Sequence, residues 1–110
     1  MNIQHTQKSG VDILSFSGNL DTNNSPAAEK EVNRMIDEGS DQILFHFGEL
    51  NFIASSGLRI LLATAKKLKA SAGTMYVCSL NETVQEVFDI SGFATILNLA
   101  ADEEEALSLF

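Results

Sequence analysis

Ile43-Leu44-Phe45-His46-Phe47 is an apolar, β-prone run broken only by a histidine. Successive side chains of a strand point to opposite faces, so an apolar residue at nearly every position needs cover on both sides. The run therefore reads as a buried central strand, and such a strand calls for helices around it. The flanking sequence supplies them. Ser25-Pro26 is a helix-start signal: serine can accept from free backbone N–H groups, and proline suits the first helical position, where its missing N–H would be unpaired anyway. Ala28, Val32, Met35 and Ile36 then recur at helical spacing, with Glu29, Lys30, Asn33, Arg34 and Asp37 largely on the other side and Gly39 as the stop. After the run, a loop over Gly48–Ala54 leads into a second helix striped with Leu58, Leu61, Leu62, Ala65 and Leu68, ending near Ala72-Gly73.

The remaining segments extend the alternation. Ile3–Lys8 and Val11–Ser17 read as strands joined by a Ser9-Gly10 turn, a hairpin closed by Gly18. In the second of them Val11 and Ile13 face one way and Leu14 and Phe16 the other, so it too is covered on both sides. Met75–Ser79 is a strand, and Val84, Val87 and Phe88 mark a third helix closed by Ser91-Gly92. Ile96–Leu99 is a last strand, and Asp102–Phe110 a final helix whose acidic first turn suits the helix dipole. The order β-β-α-β-α-β-α-β-α predicts one α/β domain over residues 1–110, with a mixed, mostly parallel sheet and helices packed against it.

Composition removes several classes of function. With 7 basic and 15 acidic residues the net charge is −8, and aromatics are few. Nucleic acids and anionic membranes are held chiefly by clustered Lys and Arg, so neither is expected as a partner. Lys66, Lys67 and Lys69 fall near the end of the second helix, where positive charge complements the dipole. Cys78 is alone and sits in a strand, as a small buried hydrophobe would. Two histidines and one cysteine cannot assemble a His/Cys zinc site, and no cofactor or metal is expected. His5 has no partner at metal-ligand spacing. No phosphate-binding P-loop, nucleophile elbow or paired-carboxylate arrangement stands out, so an enzyme is not expected. MNIQHTQKSG has no apolar core of a leader peptide, and no run approaches membrane-spanning length, which predicts a cytoplasmic protein.

The informative stretch is Asn51-Phe52-Ile53-Ala54-Ser55-Ser56-Gly57-Leu58-Arg59, between the buried strand and the second helix. The first N–H groups of a helix are unpaired unless something accepts from them. A serine can do so as a cap, and a phosphate on that serine can do so more strongly, because donors and dipole both favour an anion. Taken alone, Ser-Ser-Gly before a helix is most often just a cap. Phe52 and Ile53 fit either a partner-facing patch or the core.

Four segments together say more: Gly18-Asn19-Leu20-Asp21, Leu50 through Leu58, Gly73-Thr74-Met75-Tyr76-Val77, and Val87-Phe88-Asp89-Ile90-Ser91-Gly92-Phe93. In this order they resemble the STAS family over nearly the whole chain, and more narrowly the bacterial anti-sigma-factor antagonists. The resemblance implies an antagonist that binds a serine-kinase anti-sigma factor. The kinase switches it off by phosphorylating Ser55, and a PP2C-type phosphatase restores it. It further implies a docking surface of Asp21, Thr22 and Asn23 with Ala54, Ser55, Ser56, Gly57, Leu58 and Arg59. Two positions depart from the family. The residue before the acceptor, usually Asp, is Ala54, which removes a carboxylate that a kinase could read. His46 stands where Asp or Asn is common; it could favour a nearby phosphate if exposed and protonated, or be neutral and hydrogen-bonded near the core. Ala54 also leaves room for an alternative, a non-phosphorylated STAS accessory subunit of a lipid-transport ABC complex. A STAS sensor module is a further one, though no dedicated pocket signature accompanies it.

Overall fold

In the computed structural model, which describes residues 1–110, the chain opens with the hairpin expected around Ser9-Gly10. β1 (Asn2–Lys8) pairs antiparallel with β2 (Val11–Leu20), Lys8 opposite Val11. Ser9 and Gly10 take φ of 53° and 79°, the handedness that matches a two-residue turn to the twist of its strands. From β2 onward neighbouring strands run parallel. α1 (Ser25–Asp37) leads to β3 (Gln42–Ile53), and α2 (Ser55–Ala70) to β4 (Thr74–Cys78). α3 (Glu82–Ser91) and a 3₁₀ turn (Phe93–Thr95) lead to β5 (Leu99–Ala100), and α4 (Glu103–Leu109) follows. The strand order is β1-β2-β3-β4-β5. Parallel crossovers are almost always right-handed, so a sheet that grows steadily in one direction carries its crossover helices on one face.

One large core results. Ala28, Val32 and Met35 of α1, Leu58, Leu61 and Leu68 of α2, and Val84 and Phe88 of α3 pack with Leu14, Phe16, Phe45 and Phe47 of the sheet. The rings of Phe16 and Phe47 meet edge to face at 5.4 Å between centroids, a geometry that suits their quadrupoles. On the opposite face Val11, Ile13, Leu44 and Cys78 pack with Ala106 of α4, and Tyr76 meets Phe110 at 5.1 Å. Leu44 and Phe45, neighbours in β3, are both 0% exposed, as a centre strand covered on both sides requires. No helix is long and apolar enough to cross a membrane.

Three segments depart from expectation. β2 runs past Gly18 to Leu20, and β3 runs through Gly48 to Ile53, where the sequence predicts a loop. The two extensions pair with each other, Gly18 with Leu50 and Leu20 with Ile53, across register shifts at Ser15/Ser17 and Gly18/Asn19. Such irregularities break the strict alternation by which a strand is recognised. Gly18, at φ 84°, adopts there a backbone conformation that a side chain would resist. Ile53 joins the core while Phe52 is 43% exposed, which resolves the two readings of that pair. The last strand is Leu99–Ala100 rather than Ile96–Leu99. The amides of Ile96 and Leu97 both bond back to the Phe93 carbonyl, winding this segment into a turn and leaving Ile96 59% exposed.

Candidate functional site

Leu20 and Ile53 end adjacent parallel strands side by side, and the Ala54 amide donates to the Leu20 carbonyl at 2.8 Å. The chain leaves the sheet twice at this end, so α1 and α2 begin next to each other. Between β2 and α1, the Asp21 carboxylate accepts from the amides of Asn23 and Asn24 at 3.0 and 3.2 Å, and the Asn24 side chain accepts from the Asp21 amide at 2.8 Å. Asp21 is half-buried and organises this loop, while Thr22 and Asn23 are exposed on it.

Ser25 is the first residue of α1 rather than its cap: Asn24 holds the cap position, with its side chain bonded back into the loop and not to the helix amides. The buried Ser25 hydroxyl instead donates to the Asp21 carbonyl at 2.5 Å and lies 2.9 Å from the Ser56 hydroxyl. Having one proton, already given to Asp21, Ser25 can only accept from Ser56. A chain of two hydroxyls thus joins the Asp21 loop to the start of α2. Sequence reasoning missed this part of the site. Ser25-Pro26 looks like a local helix start, and nothing local announces a partner 31 residues away.

At α2 the cap position falls to Ala54, which has no side chain to cap with, and Ser55 is the first helical residue. Ser55 is exposed and its hydroxyl bonds to no other protein group. The cap expected of it is therefore not made, and the oxygen is left uncommitted. Gly57 shows why no larger residue suits its place. A Cβ there would stand 2.8 Å from Ile53 Cγ1 and 2.9 Å from Leu20 Cγ, closer than carbons pack. Gly57 and Leu58, expected among the docking residues, are both buried, Leu58 in the main core. They shape the surface from beneath. Arg59 is exposed and, with Thr22, Ser25, Pro26, Glu29, Ser56 and Ile60, lines a shallow groove of about 240 Å³ between the two helix starts. Glu29 and Pro26 were not singled out from the sequence for this place, since on α1 alone they read as ordinary solvent-facing positions.

His46 is half-buried, and its Nδ1 accepts from the Gly48 amide at 3.1 Å. The imidazole is thus tied to the backbone of β3 two residues on, at the register shift opposite Ser15 and Ser17.

A family model described as the STAS domain matches residues 2–106. The chain belongs to the STAS family. Among relatives of this STAS domain, a Bordetella bronchiseptica protein named as an anti-sigma factor antagonist, BtrV, is 35% identical over 101 residues, covering 92% of this chain and 87% of that protein. The anti-sigma F factor antagonist of Paenibacillus polymyxa is 29% identical, covering 98% of this chain and 93% of that one. Among solved structures, an anti-sigma factor antagonist from Mycobacterium paratuberculosis superposes with a TM-score of 0.90 at 23% identity. It covers 98% of this chain and 92% of its own. The STAS fold expected from the sequence is therefore the one observed, and the relatives carry the antagonist name that the motif resemblance implies.

Proposed function

We propose that this STAS domain is an anti-sigma factor antagonist that docks a serine-kinase anti-sigma factor in the cytoplasm and is switched off by phosphorylation of Ser55. The observation that carries the reading is the Ser55 hydroxyl, exposed and uncommitted at the head of α2 beside the Asp21 loop. The docking surface is the loop of Asp21, Thr22 and Asn23 together with Ala54, Ser55, Ser56 and Arg59, with Gly57 and Leu58 holding it from below. In the modification the γ-phosphoryl group of ATP passes to Ser55 Oγ, the hydroxyl proton is lost and ADP leaves. A PP2C-type phosphatase returns the hydroxyl by hydrolysis. The phosphate adds a charge of about −1.5 to −2 to a surface that was neutral at that point, and a partner fitted to a hydroxyl must then bury or repel it.

Incubation with the cognate kinase and ATP, read by intact mass and site mapping, is expected to add one phosphate, on Ser55. In calorimetry Ser55→Asp is expected to weaken partner binding at least about tenfold, or about 1.4 kcal/mol, while Ser55→Ala retains it. Equal affinities would remove the switch. A second reading is favoured by Ala54, where the carboxylate before the acceptor is missing: a STAS accessory subunit of a lipid-transport ABC complex, docking by the same end and never phosphorylated. An unmodified mass after kinase treatment, with capture of transporter subunits, would select it.

A further inference from the structure

Arg59 is the one basic residue of the proposed docking surface, and nothing in the chain neutralises it. The ion pairs of the protein join His5 to Asp12, Lys8 to Glu103, and Arg34 to Glu31 and Glu38. Arg34 is thus held by Glu31 on its own helix and Glu38 at the helix cap, whereas Arg59 has no such partner, and Glu29 across the groove does not reach it. The first turn of α2 contains no acidic residue that could compete for it.

Its position relative to Ser55 is set by the helix. Residues four apart on a helix have Cβ atoms about 5–6 Å from each other. Side chains lean toward the helix N-terminus, so residue 59 covers the turn that residue 55 begins. A guanidinium offers a planar fork of donors matched to two phosphate oxygens. We propose that Arg59 is the internal counter-ion of a phosphate carried by Ser55. The inference rests on the phosphorylation reading above and states how the modification is converted into a changed surface. In the unmodified chain Arg59 is available to an acidic group of the partner. Once Ser55 carries a phosphate, Arg59 is drawn back along α2. The surface gains a dianion and loses its cation in the same event.

The test installs phosphoserine at position 55 during translation, through an expanded genetic code, in the otherwise native chain and in Arg59→Gln and Arg59→Lys. Phosphorus NMR then follows the second ionisation of the phosphate. With arginine present its pKa is expected about a third of a unit lower than in Arg59→Gln, as the strength of helical charge pairs implies, with Arg59→Lys between. Superimposable titration curves for the native chain and Arg59→Gln would overturn the proposal. The ribosome supplies the phosphoserine, so this outcome does not depend on whether a kinase modifies Ser55. A failed kinase assay would sink the phosphorylation reading, and coincident titrations would sink the role of Arg59.

Discussion

Gly57 is the residue at which core packing meets the proposed docking surface. Its lack of a side chain lets the first turn of α2 rest directly on Leu20 and Ile53, and that seating fixes where Ser55 and Ser56 stand. Replacing it by alanine has opposed effects. Alanine improves helix propensity by up to about 1 kcal/mol, yet the added methyl meets two fully buried side chains, and overpacking of this kind costs about 1–3 kcal/mol. Overpacking wins. Gly57→Ala is expected to lower stability in urea unfolding by about 1 kcal/mol. Because relief requires α2 to lift, partner binding should weaken even at temperatures where the variant is folded. An unchanged unfolding midpoint would mean that Leu20 and Ile53 yield easily and that the seating is not tight.

Among the elements, β1 contributes little to the core: its side chains are almost all exposed, with Ile3 packing partly against it. It is fastened to β2 by backbone pairing and by one buried carboxylate. Asp12, 6% exposed, accepts from His5 Nε2 at 2.8 Å and from Gln7 Nε2 at 2.7 Å. Burial acts to raise the Asp12 carboxyl, but the Gln7 amide and the His5 imidazole outweigh it and hold the group below the ordinary carboxylate range. A group lowered in the folded state adds stability above its unfolded pKa, about 4 for aspartate, and loses it as the pH falls through the folded value. Asp12→Asn is therefore expected to flatten the loss of stability below about pH 4, measured by denaturant unfolding across that range. An acid limb as steep as in the native chain would assign the dependence to other carboxylates. The elements were legible in the sequence wherever each carries its own periodicity, as in the leucine stripe of α2 or the two-faced pattern of β2. The ends of β2 and β3 were not, because their pairing depends on register shifts that only the neighbouring strand defines. The site divides in the same way. The place of Ser55 at the head of α2 could be read from the sequence, whereas the hydroxyl contact of Ser25 with Ser56 joins residues far apart in sequence and has no local signature.

At the scale of the whole molecule the sheet is covered unequally. Three helices pack on one face and a single seven-residue helix on the other. Cys78 lies beneath that thinner layer, and burial pushes its thiol pKa up, with the carboxylates of Glu103 and Asp102 adding to the rise while Ser79 opposes it. In the native protein it should react slowly with thiol reagents, at a rate that reports opening of α4. Phe110→Ala removes the ring that packs on Tyr76 and is expected to speed labelling of Cys78 about tenfold, the effect of weakening the layer by about 1.4 kcal/mol. Far-UV circular dichroism should barely change. Labelling that accelerates only when the helical signal is also lost would show that both layers open together. The sequential strand order carries a consequence for synthesis. Each strand after the first pairs with the one made just before it, so its partner is already synthesised when it leaves the ribosome. Both segments of the proposed docking surface, and the helices that follow them, emerge before β4, α3, β5 and α4 exist. The end that carries the proposed docking surface is thus synthesised first, and α4, which comes out last, covers the opposite face of the sheet.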